Sequence, residues 1–120
     1  MTVYPRTAVG VVEPLRTILT SNTGGLAVDT LNNEIFITRG VSIDVYARTA
    51  DATDAPLRTI SASLGDSADD IAVDVLHNEI FVMGGRISVY MRTANGEVQP
   101  SRTISGVASG LNSLGHIILL

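Results

Sequence analysis

Apolar residues in this chain come in runs of about five, each stopped by Gly, Asn, Asp or Pro. Gly25–Asp29 (GLAVD) and Asp70–Asp74 (DIAVD) both close on an aspartate. They are followed by Glu34–Thr38 (EIFIT) and Glu79–Met83 (EIFVM), then by Ser42–Tyr46 (SIDVY) and Arg86–Tyr90 (RISVY). Pro14–Ile18, Pro56–Ile60 and Pro100–Ile104 (PLRTI, PLRTI, PSRTI) make a last set. All are rich in Val, Ile, Thr and aromatics, which suit a pleated surface. No stretch sustains a helical period of apolar positions, so the pattern predicts an all-β chain. In chain order the strands are a, b, c and d.

The punctuation between runs agrees. In Asp29–Asn33 and Asp74–Asn78 the aspartate can accept backbone N–H bonds, and Asn33 and Asn78 tolerate left-handed φ. Gly40 after Arg39, and the pair Gly84–Gly85, supply positive φ between strands b and c. Pro14, Pro56 and Pro100 open strand d, which suits an outermost, edge strand.

The runs repeat. VYPRTAVGVVEPLRTI (3–18), VYARTADATDAPLRTI (45–60) and VYMRTANGEVQPSRTI (89–104) align without gaps, with 10 and then 9 of 16 positions shared by successive copies, at spacings of 42 and 44 residues. A second block, AVDTLNNEIF (27–36), returns as AVDVLHNEIF (72–81) with 8 of 10 positions kept. Four antiparallel strands at such a period are the signature of propeller blades. There is no tryptophan, so the WD dipeptide of one large blade class is missing. The residues G-L-A-V-D, N-N-E-I-F-I, S-I-D-V-Y and P-L-R-T-I resemble instead the blade of the NHL-type β-propeller repeat family. The resemblance implies whole blades over 25–60 and 70–104, a partial blade over 1–18 and a further one over 115–120, where Gly115–Leu120 takes the place of a third strand a.

Propellers close with about four to eight blades. An open blade face of several hundred Å² forfeits on the order of 10 kcal/mol at roughly 25 cal/mol per Å². The expected remedy is a homo-oligomer: two chains give a six-bladed ring, and a trimer of eight or nine blades stands second.

Composition narrows the partners. The chain has 120 residues, 45% hydrophobic and 17% charged, so it is neither disordered nor large enough for two domains. Its net charge is −4 and it has no lysine, which argues against nucleic acid. No apolar run is long enough for a membrane helix, no signal peptide is visible, and the compartment is left unassigned. With no cysteine there are no disulfides, thiolate metal sites or cysteine nucleophiles.

The repeat also sorts the candidate chemistry. Tyr4, Tyr46, Tyr90, Phe36 and Phe81 all sit at repeat positions, which predicts packing between blades rather than a stacking surface for a ligand. Arg6, Arg48 and Arg92 after strand c, and Arg16, Arg58 and Arg102 in strand d, are expected to be spent on carboxylates such as Asp44 and on loop carbonyls rather than on a bound anion. Asp29, Asp74, Glu34 and Glu79 could form acid/base or metal pairs, but they flank the a–b turn and are read as capped-turn residues. His77 replaces Asn32 and is read as a turn residue too.

Loops on a rigid scaffold are where function concentrates, and the d–a connections (19–24, 61–69, 105–114) differ most between units. They offer Asp66, Asp69, Asp70 and His116 as candidate metal ligands, with Asn112 nearby. Calcium is the ion their oxygens would take, although D-S-A-D-D lacks the EF-hand spacing. No nucleophile elbow, P-loop, dinucleotide fingerprint or H-E-x-x-H occurs, so no catalytic residue or organic cofactor is assigned. The sequence therefore reads as a non-enzymatic, self-assembling propeller scaffold that binds an unassigned ligand through its top loops or central channel. The alternative is a metal-dependent, lactonase-like hydrolase, which the family resemblance implies.

Overall fold

The computed structural model describes residues 1–62, 67–105 and 115–120. Among them there is no helix, and the strands form three mostly antiparallel sheets, so the chain is all-β. Correspondingly, no helix of the described residues is long and apolar enough to cross a membrane.

The first sheet pairs β1 (Thr2–Val3) with β2 (Arg16–Thr17). The second contains β3 (Thr23–Asp29), β4 (Glu34–Arg39), β5 (Ser42–Ala47) and β6 (Arg58–Ala62). The third contains β7 (Asp70–Asp74), β8 (Glu79–Met83), β9 (Ile87–Met91) and β11 (Arg102–Ile104). Between β9 and β11 the chain leaves its own sheet: β10 (Gly96–Val98) lies parallel to β6, giving a five-stranded order β10-β6-β5-β4-β3 beside the four-stranded β11-β9-β8-β7.

The five-stranded sheet is the middle layer. Alternation along its strands sends Ala27, Phe36, Ile43, Val45 and Ile60 to one face, where they meet Ile71, Ile80, Val82 and Tyr90 of the four-stranded sheet. Ile35, Ile37 and Tyr46 point the other way and meet Ile18, Ala50 and Met1. Strands β3 and β7 lie side by side. Here Gly24 and Gly25 are required: a Cβ on Gly25 would stand 2.5 Å from the Asp70 Cα, and one on Gly24 would stand 2.6 Å from the Ala68 carbonyl oxygen. A bulge between Thr23 and Leu26 takes this stretch out of the ladder. The buried Thr38 hydroxyl accepts the Gly25 N–H at 2.6 Å in its place.

Several sequence expectations change. Strand d starts at Arg58 and Arg102, two residues after each proline. The Leu57 and Ser101 N–H groups do bond to the Val45 and Val89 carbonyls (2.7 Å each), but proline has no N–H to carry the ladder further back. Strand β6 is not an edge either, because β10 covers it. Positive φ occurs at Gly40 (59°) but not at Gly84 or Gly85, where a three-residue loop closes through Gly84 N–H to the Arg86 carbonyl. The third strand a expected over 115–120 does not form: the Ile117 N–H goes to the Asp70 side chain (2.8 Å), and Ile118 and Leu120 are exposed.

Candidate functional site

Each a–b turn is built by its aspartate. Asp29 Oδ1 accepts the Leu31 and Asn32 N–H groups at 2.9 Å, and Asp29 Oδ2 accepts the Asn32 side-chain amide at 2.7 Å. Asp74 repeats the arrangement with Leu76 and His77, whose ring Nδ1 stands in for the amide at 2.7 Å. Asn33 and Asn78 both have φ 57°. These carboxylates serve the turn, and His77 belongs to it.

The glutamates that follow do more than the turn reading foresaw. Arg58 grips Glu34 with two parallel hydrogen bonds (2.6 and 3.0 Å) and donates a third to the Arg92 carbonyl of the neighbouring sheet (2.8 Å). Arg92 answers with Nη1 to Glu34 Oε2 at 2.6 Å, while its Nε is held by the Asn78 side chain at 2.9 Å. One carboxylate thus ties two guanidinium groups across the junction between the sheets. Such forked, charge-assisted bonds suit arginine and not lysine. Hydrogen bonds from Arg58, opposed by burial and helped by the charges of Arg58 and Arg92, hold Glu34 below the usual carboxylate range. The Arg58 guanidinium also lies 5.8 Å from the centre of the Phe36 ring.

Parts of this clasp recur at the other two sheets. Arg16 of β2 donates to the Arg48 carbonyl of the middle sheet, and Arg48 Nε bonds to Asn33 Oδ1 at 2.9 Å. Arg102 of β11 grips Glu79 through both nitrogens and lies 5.5 Å from the centre of the Phe81 ring. The sequence pointed to the repeat arginines pairing with loop carbonyls and with carboxylates such as Asp44; Asp44, however, is taken by Arg39, outside both series, at 2.8 Å. The sequence missed Glu34 as the hub. The signal was there, since Glu34 and Glu79 repeat in step with both arginine series.

Of the candidate metal ligands, Asp69 and Asp70 lie at the opposite end of the inner strand β7 from its aspartate turn. Asp70 and His116 are brought together, with His116 Nδ1 3.2 Å from Asp70 Oδ2, which also accepts the Ile117 N–H. Asp69 accepts the Ser67 hydroxyl at 2.9 Å. Asp66 and Asn112 lie outside the described residues. Among the described residues no three acidic or histidine side chains converge as a metal site would require. The connection after β2 contributes Leu19, Thr20 and Ser21 to two open grooves of about 400 and 230 Å³, the smaller also lined by Arg39, Asp44 and Tyr46.

Comparison with models of known protein families gives no match, and comparison with curated protein sequences gives none.

Proposed function

We propose that the chain is a non-enzymatic scaffold whose sheets are blades of an NHL-type β-propeller. Copies of it assemble into a closed ring, and a ligand is taken through the loops at the end of the inner strands or through the central channel. The observation that carries this reading is a face used twice. Ala27, Phe36, Ile43, Val45 and Ile60 of the middle sheet recur as Ala72, Phe81, Ile87, Val89 and Ile104 of the four-stranded sheet. The first set is buried under a neighbouring sheet, whereas in the second Phe81 and Ile87 are only half-buried. Ile60 is 0% exposed and its counterpart Ile104 is 47% exposed. An apolar face of the same composition, with the same Arg–Glu pair at its rim, therefore stands ready for another sheet.

The opposite side of the stack is open as well. Leu26 and Val28 of β3 are exposed toward the two-stranded sheet, while Ile71, which holds the place of Leu26 in the next unit, is buried. Two such sides are matched when sheets continue around a ring, and the three sheets of one chain make six in a dimer. Light scattering coupled to size exclusion tests the assembly. The expected mass is twice 12.6 kDa, and a monomer at every concentration would remove the proposal.

The contact of His116 with Asp70 favours one competing reading, a calcium-dependent hydrolase. Calorimetric titration with Ca²⁺ after EDTA treatment, beside a lactone hydrolysis assay, separates the two, since stoichiometric binding with turnover would support only the hydrolase.

A further inference from the structure

We infer that a second copy of the chain docks its Tyr4–Val12 segment on the open face of the four-stranded sheet. Gly10 and Val11 run parallel beside Ile104 and Ser105 at the end of β11, and Arg6 reaches Glu79. This rests on the reading of the chain as a self-assembling scaffold and specifies the surfaces that meet.

The chain contains the template for this contact. At the junction between the middle and four-stranded sheets, β10 lies along β6 with Gly96 opposite Ile60, Glu97 opposite Ser61 and Val98 opposite Ala62. At the junction before it, Ile18 and Ala52 form the same parallel bridge, and the Leu19 N–H bonds to the Ala52 carbonyl at 3.0 Å. Ile18, Ile60 and Ile104 hold one place in the repeat, and Gly10, Ala52 and Gly96 hold another. The second series has φ of 73°, 44° and 72°, so Gly10 already has the backbone twist that the docked members use. Among the described residues strand β11 is hydrogen-bonded on one side only, to β9, which leaves its other edge for Gly10.

The side chains of the same segment lack the cover their counterparts enjoy. Tyr46 and Tyr90 are 5% and 1% exposed, each packed against a preceding sheet, whereas Tyr4 is 49% exposed. Val98 of β10 packs on the core between the sheets, and Val12, in the same place, is exposed. The charges match too. Arg16 donates to the Arg48 carbonyl and Arg58 to the Arg92 carbonyl, which leaves Arg102 facing the place of the Arg6 carbonyl. Arg92 completes Glu34, and Glu79 offers Arg6 the same oxygen. Both halves of the joint lie on this one chain, which is why the occupant is a second copy. The contact is head-to-tail, and it closes into a ring when the rotation between copies does.

Because the chain has no cysteine, a disulfide reports the register cleanly. Val11 and Ser105 are the counterparts of the paired Glu97 and Ser61. Val11→Cys combined with Ser105→Cys should cross-link between chains under mild oxidation, with either single variant as control. In light scattering, Tyr4→Asp should weaken association about 100-fold by placing a charge where the docked counterparts Tyr46 and Tyr90 are buried. Leu31→Glu, at an exposed turn outside the joint, should leave association unchanged. A cross-linked dimer supports the docking together with two-copy closure, and a cross-linked ladder supports the docking in a larger assembly. Oligomers that neither cross-link nor respond to Tyr4→Asp would overturn this docking while leaving self-assembly standing. A monomer throughout would overturn both.

Discussion

Ala52 has a φ of 44°, in a place where the other two repeats put Gly10 and Gly96 at 73° and 72°. A Cβ in that region costs roughly 1 kcal/mol. Ala52→Gly should therefore raise stability, by about 0.5 kcal/mol once the looser unfolded chain is counted. Gly96→Ala should lower it by about 1 kcal/mol through backbone strain alone, since nothing lies within 4 Å of the added carbon. Urea midpoints check both, and a fall for Ala52→Gly would contradict the account. Glu34 sets a second residue-scale expectation. Its folded-state pKa is lowered from 4.5, chiefly by the Arg58 hydrogen bonds. Asp29 is lowered as well: burial pushes it up, but bonds from Asn32 and Leu31 and the charge of Arg92 outweigh that. Groups with depressed pKa contribute stability that is complete above the unfolded value and is lost as pH falls through the folded one. Unfolding midpoints should thus decline below about pH 4.5, and more shallowly in Glu34→Ala. That variant should also cost about 3 kcal/mol at neutral pH by removing the carboxylate that two largely buried guanidinium groups share.

At the scale of elements, the joint between β3 and β7 depends on the absence of side chains at Gly24 and Gly25 and on one hydroxyl. Gly25→Ala would drive a methyl into the Asp70 backbone and should cost about 2–3 kcal/mol by overpacking. Thr38→Val keeps the shape but orphans the buried Gly25 N–H, which should cost about 1–3 kcal/mol. Hydrogen exchange offers a sharper reading than the midpoint, because the Gly25 amide should lose protection in Thr38→Val while the β4–β5 ladder keeps its own. Equal loss across both would mean that the hydroxyl supports the whole sheet rather than the bulge.

For the whole molecule, the proposed assembly through open sheet faces would make stability depend on concentration. The melting temperature should rise with protein concentration, as mass action requires when the associated form alone is folded to completion. It should be insensitive to EDTA, since among the described residues no three acidic or histidine side chains converge. A melting temperature that is flat with concentration but falls on chelation would turn the reading toward the metal-dependent alternative.

The repeat, the strand runs and the aspartate turns were legible in the sequence because their chemistry is local. Asp29 meets groups two and three residues away, and Asn33 and Asn78, of a residue type that tolerates left-handed φ, both adopt it. The same locality made the aromatics readable as core at Phe36, Tyr46 and Tyr90. What lay beyond it was which sheet sits beside which. Glu34 is completed by an arginine 58 residues away, β10 leaves its own unit to pair with the previous one, and Gly25 is constrained by the backbone of Asp70. A pattern of apolar and polar positions specifies which face of a strand is buried, since side chains alternate, but not what covers that face. That choice is made by long-range packing, and so the clasp between sheets, unlike the strands it joins, was decided only in three dimensions.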